Sequence, residues 1–195
     1  GRAAGGHSNH LDKKIVYHQM KYYKLILIII LISCSKEQTF ELPYFITSDF
    51  TPHWINSKTL KKSTHKISDF KLVNQNNEEI TRENLKGKVY ISNFFFTSCP
   101  SICPKMTNNI KLIQDEFRYE EGIIILSHSV TPWIDTPEIL KRYEKNYNID
   151  GSIWNLVTGE KKIIYDLARF SYFAEENFGI INNENDFIHT ELVFL

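Results

Sequence analysis

A nearly continuous apolar segment, Lys88–Phe96, constrains the fold more than any other part of the sequence. Its residues, KVYISNFFF, are mostly β-branched or aromatic and hardly alternate with polar ones, which is typical of a strand covered on both faces of a sheet. Such a strand needs helices on each side, and helical connections between parallel strands provide them. The segment therefore predicts an α/β protein built around a central sheet.

The remainder of the chain alternates between strand and helix patterns. The sequence predicts three helices, over about Ser101–Phe117, Thr136–Tyr147 and Gly159–Phe173. The first has apolar residues at helical spacing, the second has a proline at its first helical position, and the third begins at a glycine. Short apolar runs predict further strands at Ile123–Leu126, Ile153–Val157 and Phe187–Leu195. This order of elements predicts parallel crossovers within one sheet.

The two ends of this region add detail to the predicted fold. An Asn-rich turn between Phe70–Val73 and Glu79–Thr81 predicts an N-terminal β-hairpin, and Arg82–Lys86 predicts one helical turn closed by Gly87. The sequence stops inside its last strand-like segment, although an edge strand normally needs a neighbour to cover it. We therefore expect the native product to continue beyond Leu195, with the C-terminal elements of the fold truncated.

The N-terminal residues carry a targeting pattern. We interpret residues 1–19, which are rich in Gly, Ala and His but lack periodicity, as a non-native or upstream leader rather than a metal site. From Met20, two lysines precede the apolar run Leu25–Ile32, which is well short of the ~20 residues that span a bilayer. Leu31-Ile32-Ser33-Cys34 resembles a bacterial lipobox. We expect residues 20–34 to be a lipoprotein signal peptide ending at a lipidated Cys34, and an uncleaved anchor is the alternative.

Either form of anchor predicts a protein at a membrane, with the folded part outside the cytoplasm. Acyl chains on Cys34 would supply stable attachment, which predicts a lipoprotein of the bacterial envelope that faces the periplasm. Residues 35–66 are polar and form a predicted tether and irregular extension, and residues 67–195 form the predicted domain. The balance of 23 Lys+Arg against 23 Asp+Glu argues against a nucleic-acid partner, which would require a basic excess.

Cys99 and Cys103 lie between the buried strand and the first helix, where open α/β sheets place their chemistry. The positive end of the helix favours a thiolate there. In a continuous helix such a pair has Cβ atoms about 5–6 Å apart. That gap exceeds the ~3.5–4.5 Å of a disulfide but suits two metal–sulfur bonds. Because Pro100 pushes Cys99 out of helical geometry, a disulfide is accessible as well, and both alternatives stay open.

Two thiolates form a soft site that suits Cu(I), and a third ligand would complete a trigonal set. His189, at the start of the last predicted strand, is the candidate third ligand, although an isolated histidine is more often structural. Its competitors on composition are His53, His65 and His128, of which His128 ends a strand at the same predicted sheet edge. Zinc is disfavoured because a structural zinc site takes four ligands, and only two of the three cysteines follow the anchor.

Several motifs, in this order along the chain, resemble those of the SCO/SenC family. They are Cys99-Pro100-Ser101-Ile102-Cys103-Pro104, Ser129-Val130-Thr131-Pro132 with Asp135-Thr136-Pro137, Trp154–Gly159 and His189-Thr190. Members are membrane-anchored copper proteins with a thioredoxin-like fold that take part in cytochrome c oxidase assembly. The resemblance implies that fold for residues 67–195 and places Cys99, Cys103 and His189 on the family's copper ligands. Thr131 departs from the pattern, since many members have Val-Asp-Pro there, and a lipid on Cys34 would replace the usual transmembrane helix.

The resemblance implies a membrane-anchored copper-binding protein that takes up Cu(I), or Cu(II). It would deliver the ion to the copper-bearing subunit of cytochrome c oxidase, or mature that copper centre. The alternative is an enzyme, a thiol–disulfide oxidoreductase in which Cys99 attacks a disulfide and Cys103 resolves it to reduce partner cysteines. A thioredoxin-like reductant would then be a further partner. A lipoprotein whose domain only docks partners is a third hypothesis.

Overall fold

The computed structural model describes residues 22–23, 42–55, 64–174 and 190–195. The chain divides into two units, Gly1–Leu42 and Pro43–Leu195. In the first unit, the described residues Tyr22, Tyr23 and Leu42 are exposed. In the part of the chain that is described, no helix combines the length and the apolar character needed to cross a bilayer. The second unit carries the sheet and its helices.

A six-stranded sheet forms the centre of the second unit. Its strands are β3 (Lys71–Asn74), β4 (Glu79–Thr81), β5 (Val89–Phe95), β6 (Ile123–Ser129), β7 (Trp154–Thr158) and β8 (Val193–Phe194), and a separate antiparallel pair consists of β1 (Tyr44–Phe45) and β2 (Pro52–His53). The strand order is β4-β3-β7-β6-β5-β8. Strands β5, β6 and β7 are parallel, while β3–β4, β3–β7 and β5–β8 pair antiparallel. The predicted α/β fold with a hairpin ahead of its parallel strands is confirmed.

Within the described residues of the second unit, three α-helices lie between the strands. They are α1 (Ile102–Phe117), α2 (Pro137–Tyr147) and α3 (Lys161–Asp166), with a 3₁₀ turn at Arg82–Leu85 and a π-helical turn at Leu167–Ser171. Pro137 occupies the start of α2, as the sequence predicts. The third predicted helix was wrong in part, because the α-helical geometry ends at Asp166 and the Tyr172 N–H then bonds the Leu167 carbonyl at 2.9 Å. Of the last predicted strand, Phe187–Leu195, residues 187–189 lie outside the described part.

The sheet separates two apolar cores. Successive side chains of a strand point to opposite faces, so Phe94 of β5 enters the core that contains Ile164 of α3, whereas Phe95 enters the core that contains Ile110 of α1 and Leu140 of α2. All five side chains are at least 98% buried. Each such side chain contributes about 1.5–3 kcal/mol relative to an exposed one. The sheet therefore carries helices on both faces, as the apolar β5 segment requires.

His128 lies in the core beside Phe94 and makes few polar contacts. Its ring is fully buried and stacks on Phe94 with centroids 4.9 Å apart. Its Nδ1 lies 3.2 Å from Ser92 Oγ and 3.4 Å from the Asn93 carbonyl oxygen, and Nε2 has no hydrogen-bond partner among the described residues. Burial among aromatic rings disfavours the imidazolium form, and it lowers the pKa of His128 to about 4.

This histidine predicts a specific loss of stability in acid. Because the folded pKa lies below the ordinary value of about 6.5, the contribution of neutral His128 is complete above about pH 6.5 and is lost as the pH falls towards 4. Over that range we expect the free energy of unfolding to fall by about 3 kcal/mol more in the wild type than in His128→Phe. Urea unfolding of both proteins near pH 7 and pH 4 measures the difference, and parallel pH dependences would contradict it.

Candidate functional site

The two candidate thiols lie where β5 gives way to α1. Cys99 sits in the connecting loop and Cys103 in the first turn of the helix, which begins at Ile102 after its N-cap residue Ser101. Both are free cysteines, with exposed fractions of 7% for Cys99 and 1% for Cys103. The prediction that Pro100 keeps Cys99 out of the helix is confirmed. The pair therefore meets at the edge of the core that contains Phe95.

The sulfur of Cys99 takes the place of a helix cap. The first N–H groups of a helix have no partner within it, and the side chain of Ser101 makes no capping bond. Instead, the Cys103 N–H donates to Cys99 Sγ over 3.4 Å. The start of α1 thus directs its donors and its partial positive charge at one sulfur.

The two thiols consequently differ in acidity. Burial alone would raise the pKa of Cys99, but the Cys103 thiol and the backbone N–H groups of Cys103, Ser101 and Ile102 hydrogen-bond its sulfur and lower that pKa below its ordinary value. Burial raises the pKa of Cys103 to about 12, and its bond to Cys99 adds to the effect. The pair is therefore suited to hold one thiolate, on Cys99, and one proton, on Cys103.

The candidate histidines do not gather at these thiols within the described chain. His128 lies in the opposite core, because it pairs with Phe94 in the β5–β6 ladder and shares its face. His65 Nε2 lies 2.9 Å from the Ser171 carbonyl oxygen and its ring stacks on Phe173, while His53 pairs with Tyr44 in the small sheet.

His189 and Cys34 lie outside the described residues, so their roles stay predictions. Among the residues that are described, no group of three or more His, Cys, Asp or Glu side chains could hold a metal ion. What the described part supplies is the pair of sulfur donors on Cys99 and Cys103, whose softness fits Cu(I).

The buried carboxylate of Asp135 lies beside the loop that carries Cys99, and the sequence alone does not identify it as part of the site. Asp135 is fully buried and accepts hydrogen bonds from the Thr97 N–H at 3.2 Å and from three hydroxyls: Thr97 Oγ1 at 2.5 Å, Ser129 Oγ at 2.6 Å and Thr131 Oγ1 at 3.0 Å. In the sequence it appears only within the motif Asp135-Thr136-Pro137. The signal that could have found it is an acidic residue just ahead of a helix, close to several Ser and Thr residues.

Comparisons with known proteins point to one family. A model of the SCO1/SenC family matches residues 58–195. The SCO1 protein homolog of Bacillus subtilis is 31% identical over 136 residues, which covers 67% of this chain and 68% of that protein. A shorter match, 34% identical over 83 residues, covers 42% of this chain and 41% of a Stutzerimonas stutzeri protein named "Putative copper-binding protein".

Solved structures agree with these sequence matches. The structure of BsSco, described as a member of the Sco family of cytochrome c oxidase assembly proteins with a disulfide switch, is 30% identical, has a TM-score of 0.52, and is matched over 60% of this chain and 69% of its own. A SCO1/SenC family lipoprotein of Bacillus anthracis is 32% identical with a TM-score of 0.53, over 61% of this chain and 75% of its own. The predicted thioredoxin-like fold is thereby confirmed.

The unequal acidity of the thiols predicts unequal reactivity. Because the thiolate is the form that alkylates, we expect iodoacetamide near pH 7.5 to modify Cys99 at least about tenfold faster than Cys103 in the reduced, metal-free protein. Peptide-resolved mass spectrometry measures both rates. As matched variants, Cys103→Ser should retain the fast thiol and Cys99→Ser only the slow one. Equal rates at the two positions would contradict the proposed asymmetry.

Proposed function

Because the chain belongs to the SCO1/SenC family, we propose that it is a membrane-anchored copper-binding protein that delivers copper to, or matures, the copper centre of cytochrome c oxidase. The family prediction made from the sequence is confirmed. The observation that carries the functional proposal is the Cys99–Cys103 pair at the N-terminus of α1. Copper is the cargo of this protein, and the copper-bearing oxidase subunit is its acceptor.

The donor chemistry of the pair fits copper. Two thiolates prefer a soft ion such as Cu(I), and His189 is the proposed third ligand. Cys99 offers its sulfur to an incoming ion at a smaller cost of deprotonation than an ordinary cysteine, since its pKa is lowered. Cys103 must release a proton before it can bind, because its pKa lies near 12. Uptake of copper should therefore release a proton and tighten as the pH rises.

The position of the site suits transfer rather than permanent storage. Cys99 lies on a loop, and a site with three ligands leaves room for an incoming ligand of the acceptor. A lipid on Cys34 would keep donor and acceptor on the outer face of one membrane, which raises their effective concentration. The relative from Bacillus anthracis, described as a lipoprotein, supports this form of anchor.

A thiol–disulfide oxidoreductase is the second candidate function, and the acidity difference between the two thiols favours it. Exchange begins with a thiolate that attacks and ends with a second thiol that resolves the mixed disulfide. Cys99 and Cys103 have the properties for these two roles. The disulfide switch described for BsSco supports the same chemistry. In this function the substrates are partner cysteines, and a thioredoxin-like protein would return the pair to its reduced form.

Copper binding tests the first function directly. We expect the reduced protein to retain about one Cu(I) against a chromogenic chelator, and we expect Cys99→Ala, Cys103→Ala and His189→Ala each to lose affinity by about 100-fold or more. The matched control is His53→Ala, which removes a histidine held in the small sheet and should retain the wild-type affinity. Equal retention of copper by all variants would refute the copper assignment.

The same proteins separate the two functions. Reduction of a disulfide substrate requires Cys99 and Cys103 but not His189. If His189→Ala loses copper but keeps full reductase turnover, His189 serves copper binding and not disulfide exchange. Turnover in the wild type together with no copper retention would favour the oxidoreductase instead.

The proposed lipid anchor has its own test. When the chain is produced in a bacterium that is fed labelled palmitate, we expect the label in the wild type and its loss in Cys34→Ala, because the acyl chains attach to that sulfur. Ser33→Ala keeps a small residue before the cysteine and should remain labelled. Absence of label in the wild type, with the protein still in the membrane fraction, would indicate the uncleaved anchor.

A further inference from the structure

We propose that Asp135 is a positioning residue for Cys99, which acts by holding the thiol-bearing loop against the loop that follows β6. The part of this proposal that concerns copper affinity rests on the proposed function. The same restraint should also affect the reactivity of the Cys99 thiol in the metal-free protein. Asp135 does not need to touch the sulfur. It acts through Thr97, two residues before Cys99 in the chain.

The contacts of Asp135 join two loops that are distant in sequence. Two of its hydrogen bonds come from the backbone N–H and the hydroxyl of Thr97, in the loop between β5 and α1. The other two come from the hydroxyls of Ser129, at the end of β6, and Thr131, in the loop between β6 and α2. The carboxylate thus binds the loop that carries Cys99 to the neighbouring strand end.

A buried carboxylate makes this connection strong. Within the described part of the chain, all four hydrogen bonds to the Asp135 carboxylate come from donors, and hydrogen bonds to a carboxylate are about twice as strong as neutral ones. Loss of one of these donors leaves part of a buried charge without a partner, which is costly. Movement of Thr97 away from Asp135 would remove two donors at once, so the native loop position is favoured.

Two backbone hydrogen bonds also hold the loop between β5 and α1. The Val130 N–H bonds the Phe95 carbonyl at 2.8 Å, which fixes the end of β5, and the Cys99 N–H bonds the Phe96 carbonyl at 3.3 Å. Ser98 and Pro100 on either side of Cys99 are exposed. In the described part of the chain, the Cys103 N–H holds Cys99 Sγ at the start of α1, and the Thr97–Asp135 contact adds a restraint that ties this loop to the segment after β6.

A soft-metal site needs such a restraint because two sulfurs must be kept at a bridgeable separation, and groups that orient ligands strongly affect metal affinity. The chain offers a matched pair of variants for a test. Thr97→Val and Thr131→Val each remove one hydroxyl donor from the same carboxylate, and both threonines are half-buried. Only the first change loosens the loop that carries Cys99, and Thr97→Ser restores the hydroxyl.

The experiment measures the alkylation rate of Cys99 in the reduced, copper-free full chain, then Cu(I) affinity, with thermal unfolding to confirm that each variant is folded. We expect Thr97→Val to speed alkylation by roughly tenfold and to weaken copper binding similarly. Thr131→Val and Thr97→Ser should stay within about twofold of the wild type. Equal effects of Thr97→Val and Thr131→Val would overturn the positioning role, since they would report general destabilisation.

The two proposals fail in different ways. If the wild type does not retain copper but Thr97→Val alone speeds alkylation, the copper function fails and the positioning role stands. If copper is retained and the alkylation rates of all variants agree, the positioning role fails alone. Amide hydrogen exchange needs no variant: the Thr97 N–H, bonded to Asp135, should be protected, and exchange at the rate of an exposed loop amide would also overturn the proposal.

Discussion

The parallel pairing of β5 with β6 is the constraint on which the site and both cores depend. It runs in one register from Val89 opposite Ile123 to Phe95 opposite Ser129. Shifting that register by one residue would exchange the two faces of a strand. His128 would then leave the aromatic core for the face of the thiols, and Ser129 would no longer meet Asp135. The alignment of β5 with β6 therefore keeps His128 away from the face that carries Cys99 and Cys103.

The same register explains why polar residues can end these strands without loss of stability. Ser127 Oγ donates to Asn93 Oδ1 at 2.5 Å and receives the Trp154 Nε1–H at 2.8 Å, so three neighbouring strands satisfy one another's buried groups. Buried polar groups that are fully paired add specificity, because any other alignment would leave them without partners. The polar contacts at the ends of β5 and β6 therefore stabilise the same alignment as the apolar residues of these strands.

Patterns within single segments could be predicted from the sequence, whereas contacts between segments could not. The buried β5 strand follows from its apolar run, and the loop position of Cys99 follows from Pro100. The predicted apolar run of β6 ended at Leu126, although the sequence also placed His128 at a strand end, and the strand continues to Ser129. Ser127 finds partners on neighbouring strands that no local pattern shows. The π-helical turn after α3 and the four donors to Asp135 were missed for the same reason, since each depends on groups brought together by the fold.

The two candidate functions make opposite demands on Cys103, and its burial bears on both. For disulfide exchange, a protonated Cys103 next to a thiolate is useful, because it stabilises the reduced pair and leaves one sulfur free to attack. In the proposed copper function, the ion would have to displace the same proton, so the burial that raises the pKa of Cys103 to about 12 would weaken copper binding at neutral pH. A site of this kind holds copper less tightly than a pair of ready thiolates would. That property would suit the proposed transfer of copper to an acceptor, and it would allow one pair of cysteines to serve either candidate function.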